Sequence, residues 1–357
     1  MKTLLKLVRL TLIGIIALGG MGLLGAGGAY LYIAPGLPSV DSLKDFRLQV
    51  PLRIFTRDGK LLAEFGEKRR IPVRYKDTPP RMIKAVLAAE DDRFFEHPGV
   101  DYQGLIRAAY HLALTGHKTQ GGSTITMQVA RNFFLSREKT YFRKLSEIIL
   151  ALKIDHELTK EEILELYLNK IYLGHRAYGI GAAAQVYYGT DLDHLTLPQL
   201  AMIAGLPKAP SAYNPITDPQ RAISRRNYVL RRMHELGFID DKAYQEGLAT
   251  PVTASLHTLS PEVQAPYVAE MVRSDLVARY GEDAYTAGYK VYTTIDSDKQ
   301  AYANQAISEA LLEYDRRHGY RGPGQHIDLA KYNQPRQWQD LLGKMPTVGG
   351  LRPALIT

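Results

Sequence analysis

Leu10 to Ile33 is a run of 24 residues without a single charge, and no other feature narrows the options of this chain as much. A helix of that length, at about 1.5 Å per residue, reaches roughly 36 Å and crosses a ~30 Å hydrocarbon core. Lys2, Lys6 and Arg9 stand before the run, and Ala34 to Ser39 follow it without charge. The positive-inside rule therefore places residues 1–9 in the cytoplasm and everything after Pro35 outside. A cleaved signal peptide would carry an apolar region of only about 7–15 residues, so the run reads as a retained anchor. Gly20, Gly22 and Gly25 imitate a dinucleotide-binding turn, but no strand precedes them. Helix packing in lipid is the better use of such glycines.

The rest of the chain has the composition of globular protein: 45% hydrophobic and 23% charged residues overall, with 30 Gly and 19 Pro. That excludes a disordered, collagen-like or wholly membrane-embedded chain. A length of 357 residues suits about two domains. Lys and Arg number 45 against 37 Asp and Glu, a net charge of +8. This favours polyanionic partners: nucleic acid, anionic lipid or a phosphate-bearing substrate. An outside location and the lack of an aromatic-interleaved basic motif argue against nucleic acid. The absence of cysteine excludes disulfides, thiolate zinc sites and a cysteine nucleophile.

Along the chain, residues 34–77 read as a stalk with a small β element. Leu52–Thr56 and Leu61–Phe65 flank the hairpin signal Asp58-Gly59, and a third strand is expected at Ile71–Tyr75. Residues 78–237 turn to helical periodicity, with six to nine helices. Thr78-Pro79 marks the first, and Thr159 with Glu162 and Thr196 with Gln199 make capping boxes. A polar linker is expected over 238–265. Residues 266–357 then open a second, α+β domain, with a helix near Val268–Tyr280 and a strand at Tyr289–Thr294. The chain stops without a closing element and reads as the front portion of a longer protein.

Candidate chemistry clusters in three places. Glu90, Asp91 and Asp92 end an apolar helix and meet Phe94, Phe95 and His97. Crowded, partly buried carboxylates have raised pKa values and so move protons near neutrality, whereas a solvated acidic helix end would do nothing of the kind. Gly121, Gly122, Ser123, Thr124 and Thr126 form either an anion-cradling loop before a helix N-terminus or an ordinary capped turn. Arg131, Lys139, Arg143 and Lys144 supply four cations, and Glu147 lies one helical turn beyond Arg143, a spacing that also makes an ordinary surface ion pair. Other motifs fail: Ser136 to Lys139 matches SxxK without its partner elements, His156-Glu157 lacks the second histidine of a zinc site, and Gly179 to Ala184 has no strand before it.

Five segments occur in order: Glu90-Asp91-x-x-Phe94-x-x-His97-x-Gly99; Gly121-Gly122-Ser123-Thr124-x-x-x-Gln128; Arg143-Lys144-x-x-Glu147; Lys160-x-x-Ile163-Leu164-Glu165-x-Tyr167-Leu168-Asn169; and Arg225-Arg226-x-x-Val229-Leu230-x-x-Met233. They resemble the signature blocks of the peptidoglycan glycosyltransferases. With the anchor and a second domain, the whole chain is similar to the N-terminal portion of the class A bifunctional penicillin-binding proteins.

The resemblance implies a mainly α, lysozyme-like catalytic domain, followed by the start of a transpeptidase-type domain. It implies polymerisation of lipid II into β-1,4-linked glycan strands at the outer face of the bacterial inner membrane, with the catalytic domain periplasmic and undecaprenyl diphosphate released. Glu90 would be the general base and Glu147 the second catalytic glutamate, near the leaving diphosphate or a divalent cation (Mg2+ or Mn2+). No organic cofactor is implied. Asp91, Phe94, His97, Gly122, Ser123, Thr124, Gln128, Arg131, Lys139, Arg143 and Lys144 would bind substrate. Implied partners are lipid II, the growing glycan strand, membrane lipids and other cell-wall synthesis proteins. Met127 departs from the pattern, where many relatives carry glutamine. Two other readings remain open: a lysozyme-like lytic enzyme, and a non-catalytic anchored scaffold. The apolar stretches Leu105–Leu114 and Phe133–Leu135 either dip into the bilayer interface or pack a core.

Overall fold

The computed structural model describes residue 20 and residues 27–44, 48–116, 122–135, 140–257, 261–319, 327–328, 331–332, 334–345, 347 and 351–355. Most of the expected anchor lies outside the described residues. Among those described, 27–33 are helical, and no helix is long and apolar enough to cross a membrane.

The chain divides into two compact units. The first comprises Met1–Arg53, Glu64–Leu259 and Arg273–Tyr289; the second comprises Ile54–Ala63, Ser260–Val272 and Lys290–Thr357. Strands β1 (Leu52–Phe55) and β2 (Leu61–Phe65) form as the Asp-Gly signal requires. Gly59 takes φ 87°, a left-handed conformation that costs glycine little. Their turn-proximal halves belong to the second unit.

The first unit is helical. α1 (Pro80–Glu90) starts on proline, whose missing N–H is no loss in a first turn, and buries Met82, Ala85 and Val86 at helical spacing. α2 (Tyr102–Thr115) precedes α3 (Ile125–Phe134), whose N-cap Thr124 accepts from Met127 N. α4 (Tyr141–Glu157) is capped by Thr140, and α5 (Lys160–Lys170) has the expected Thr159–Glu162 capping box. α6 (Ile180–Tyr188) stops at Gly189, which is left-handed at φ 66°. α7 (Leu197–Gly205) carries the expected Thr196–Gln199 box. α8 (Pro219–Glu235) and α9 (Asp241–Ala249) complete the set. α3 packs on α4 and α5, while α1 packs on α7 and α8. One core runs through them, including Met82, Phe94, Ile125, Leu150, Ile163, Leu168, Ile203 and Leu230.

The third strand expected at Ile71–Tyr75 does not form. Pro72 has no amide hydrogen, and the amides of Val73 and Tyr75 are taken by the side chains of Asn169 (2.8 Å) and Glu165 (2.7 Å), so no partner strand receives them. Pairing begins earlier instead: β3 (Arg69–Arg70) runs parallel to β4 (Ala177–Tyr178), with Arg69 opposite Ala177 and Arg70 opposite Tyr178.

Residues 238–257, read from sequence as part of a linker, contain α9 and lie within the first unit. The buried Arg226 guanidinium donates to the carbonyls of Thr250 (2.6 Å) and Leu248 (3.3 Å). Ser255 N and His257 N donate to Tyr187 and Val186. Polar composition alone hid these backbone contacts.

α10 (Pro266–Tyr280) is followed by β5 (Lys290–Tyr292), shorter than the strand expected over Tyr289–Thr294. In the second unit, strand order is β2-β1-β5, and Tyr292 stacks on Phe55 at 5.2 Å. α11 (Ser297–Arg317), capped by Asp296, and α12 (Pro335–Leu342) follow.

Candidate active site

Glu90 is the last residue of α1, with a side chain 11% exposed. Gln128, on α3, donates Nε2 to its Oε2 at 2.9 Å, and Arg225, on α8, reaches its Oε1 with Nη2 at 3.4 Å. Arg225 is itself held by the Gly205 carbonyl (3.2 Å) and lies over the Tyr228 ring. Burial raises the Glu90 pKa above its ordinary 4.5; the Gln128 hydrogen bond and the positive charges of Arg225, Lys208 and Arg131 pull the other way without cancelling it. The result is a carboxylate that takes a proton more readily than a solvated glutamate.

Asp91 and His97 face inward. Both are buried, and His97 Nε2 lies 3.0 and 3.1 Å from the two Asp91 carboxylate oxygens. Asp91 Oδ2 also accepts from Ile125 N at 3.0 Å, at the first residue of α3. A carboxylate there satisfies an orphan helix amide and complements the helix dipole. Phe94 is fully buried with Lys160 over its ring at 4.9 Å, and Lys160 donates to the His97 carbonyl. Gly99 closes the loop at φ 76°, where a Cβ would stand 2.5 Å from the Ala151 carbonyl oxygen. Three of the residues expected to touch substrate thus fasten the loop that presents Glu90.

Thr124 caps α3 and donates to the Gly99 carbonyl at 2.6 Å. Gly122 is where Leu105 approaches: a Cβ would lie 2.7 Å from Leu105 Cδ2. Ser123 accepts from Lys144 Nζ at 2.6 Å. Lys144 also reaches Glu147 Oε2 at 3.1 Å, and Arg143 pairs with Glu147 Oε1. Glu147 is 1% exposed, so the i,i+4 spacing marks a buried ion cluster and not a surface pair. Arg131 is half-buried, and its side chain has no hydrogen bond or ion pair among the described residues. Lys139 lies outside the described residues, as do Gly121 and Ser136.

α3 ties these groups together. Gln128 at its middle holds Glu90, and Ser123 just before its start holds the Lys144–Glu147 pair. The two are separated by about 8 Å of helix rise. A divalent cation fits this arrangement poorly: both Glu147 oxygens already receive cationic donors, and no three acidic or histidine residues converge among the described residues.

Sequence reasoning assigned no role at the site to Arg225 or Lys208. Arg225 sits in a stretch where Arg226, Val229, Leu230 and Met233 are buried, and its neighbour Arg226 turns away to α9. Two buried hydroxyls also escaped notice: Tyr167 Oη and Thr126 Oγ1 have no hydrogen-bond partner among the described residues. Burial and the adjacent Glu90 push the Tyr167 phenol well above its usual range.

Of the stretches weighed as membrane-dipping, Phe133, Phe134 and Leu135 pack partly buried against the core. On α2, Tyr102, Ile106 and Leu114 are exposed, while Leu105 packs beside Met127 and Ala151.

A nearly buried, pKa-raised Glu90 thus sits between Gln128 and Arg225, and α3 also carries the loop residue that meets the Lys144–Glu147 pair. Residues 58–234 match the family model described as Transglycosylase. The chain is similar to penicillin-binding protein 1A of Pseudomonas aeruginosa, 54% identical over 336 residues covering 94% of this chain and 40% of that protein. Penicillin-binding protein 1A of Escherichia coli is 52% identical over 342 residues, with the same two coverages. The crystal structure of penicillin-binding protein 1A from Haemophilus influenzae shares 37% identity at a TM-score of 0.48, covering 85% of this chain and 35% of that one. The chain thus spans about 40% of the length of these curated relatives.

Proposed function

We propose that this chain is a peptidoglycan glycosyltransferase that joins lipid II units into β-1,4-linked glycan strands. The observation that carries the reading is Glu90: nearly buried, raised in pKa, and held between Gln128 and Arg225. In the reaction, the 4-hydroxyl oxygen of the acceptor sugar forms a bond to the anomeric carbon of the donor. The bond from that carbon to the diphosphate oxygen breaks, and the diphosphate leaves with the electron pair. Glu90 takes the hydroxyl proton as the oxygen attacks. Positive charge develops on the sugar and negative charge on the diphosphate, so the leaving side needs cations. Arg131, Lys139, Arg143 and Lys144 supply them, with Glu147 holding Arg143 and Lys144 in place. Attack in line from the opposite face inverts the anomeric centre.

In this reading the domain lies outside the bacterial inner membrane, held by the Leu10–Ile33 anchor beside its lipid-borne substrate, and the uncharged run with its basic N-terminal flank supports it. The longer protein would add D,D-transpeptidase activity.

Incubating the purified chain with lipid II and separating products by length tests the reading. Polymer with release of the lipid diphosphate is expected. Glu90→Gln preserves the shape and one of the two accepted hydrogen bonds, and should lower the rate by about 10²–10⁴. Polymer formed by Glu90→Gln at the wild-type rate would remove Glu90 as base. Cleavage of glycan chains without polymer would favour the lytic reading.

A further inference from the structure

α8 meets the three adjacent acids with Arg225 and Arg232, about two helical turns apart, and it sorts them. Arg232 Nη2 donates to Asp92 Oδ2 at 2.6 Å, whereas Arg225 Nη2 lies 3.4 Å from Glu90 Oε1. Asp91 is turned away to His97 and to Ile125 N. The reaction above gives Arg225 no part, although its side chain and that of Glu90 are each only 11% exposed.

The Arg225 guanidinium is fixed from several sides. Its Nε donates to the Gly205 carbonyl at 3.2 Å, at the end of α7, and Nη2 reaches the Ala89 carbonyl at 3.5 Å. Gly205 leaves the path open, since a Cβ there would stand 3.0 Å from Arg225 Cγ. Tyr228 lies one turn along α8, and its ring centre is 4.5 Å from the guanidinium carbon. Arg231 lies over the same ring at 5.5 Å and pairs with Glu235 at 3.5 Å, so its charge is engaged elsewhere.

A pair built for strength alone would be shorter. Charge-assisted bonds from a guanidinium to a carboxylate close to about 2.7–2.9 Å, frequently through both fork nitrogens. A single contact at 3.4 Å leaves Oε1 able to receive a further donor, while the positive charge still favours the ionised carboxylate. Burial, the largest influence on Glu90, favours the protonated form, which cannot act as a base. The other groups acting against burial are Gln128 and Arg131 on α3 and Lys208 just beyond α7. Tyr167 on α5 keeps its proton and adds no charge. Among the described residues, Arg225 alone forms an ion pair with Glu90.

We propose that Arg225 is a positioning residue, clamped by Tyr228 and the Gly205 carbonyl, that keeps the Glu90 carboxylate charged and in place to receive the proton of the acceptor hydroxyl. The inference rests on the reading of Glu90 as base, but the hold of Arg225 on Glu90 is measurable apart from the reaction.

Infrared titration of the full chain in detergent tests it. The carbonyl band of protonated Glu90 is identified by its absence from Glu90→Gln. Arg225→Met keeps the apolar stem without the charge and should move the midpoint of that band to higher pH. Arg225→Gln stands in if that variant does not fold. Arg225→Lys restores a charge and should return the midpoint toward wild type. Tyr228→Leu leaves every charge in the chain and should move it in the same direction as Arg225→Met, by less. The acid limb of lipid II polymerisation should follow the band in each variant. An unmoved Glu90 midpoint in the variants that lack the Arg225 charge, or in Tyr228→Leu, would overturn the proposal whatever the activity. A midpoint that moves while the polymerisation limb stays would support the hold of Arg225 and remove Glu90 as the base, so the two readings fail separately.

Discussion

Asp91→Ala separates two roles that the sequence leaves indistinguishable: contact with substrate, and fastening of the loop that carries the base. The Asp91 and His97 side chains are 5% and 3% exposed, and the carboxylate receives two donors, His97 Nε2 and Ile125 N. A hydrogen bond to a charged group contributes about 1.5–3 kcal/mol, so losing both costs about 3–6 kcal/mol. Around 4 kcal/mol is close to a thousandfold in the folding equilibrium. For a domain of this size each kcal/mol moves the melting temperature by about 2–4 °C, so the midpoint should fall by roughly 8–16 °C. Asp91→Asn keeps an acceptor oxygen without the charge and should lose about half as much. The assay is thermal unfolding followed by circular dichroism, run beside lipid II turnover. His97→Ala combined with Asp91→Ala should be clearly less damaging than the two separate losses added together, because they break the same bond. If Asp91→Ala melts within about 2 °C of wild type while KM for lipid II rises, the fastening role is wrong and Asp91 is a substrate ligand.

Because the Glu90 pKa is raised, activity should fall on the acid side at a midpoint above 4.5, and Lys208→Ala, which removes a charge favouring the ionised form, should move that midpoint upward; a pH profile of turnover checks both. Stability runs the opposite way. A carboxyl that holds its proton more tightly folded than unfolded contributes most where both states are protonated, and loses that contribution as pH rises from the ordinary glutamate value through the folded one. Glu90→Gln should therefore melt higher than wild type at neutral pH, and a lower midpoint would contradict the burial argument. Tyr167→Phe removes a buried hydroxyl without a partner among the described residues, so it should leave the melting temperature unchanged or raise it by up to a few degrees. A loss of stability in that variant would mean that the hydroxyl is bonded after all.

Much of the local structure could be read from neighbours in the chain. The Asp58-Gly59 turn, the Thr159 and Thr196 capping boxes and the start of α1 all form where residues within one turn of each other dictate them. The missing third strand shows the limit: Ile71–Tyr75 has strand composition, yet Asn169 and Glu165, some 90 residues on, capture its backbone. Glu147 shows the same limit at the site, since its i,i+4 spacing to Arg143 cannot reveal that it is 1% exposed.

What the sequence determined by itself was therefore the uncharged run, the positions of most helices and the order in which the acidic, glycine-rich and basic segments occur. Only the tertiary structure decided which of three adjacent acids became the candidate base. Glu90 meets Gln128, 38 residues away, and Arg225, 135 residues away, while Asp91 turns to His97 and Asp92 to Arg232. Helix and turn preferences act over a few bonds, but solvent exclusion and the electrostatic field at a carboxylate are set by whichever distant side chains pack around it.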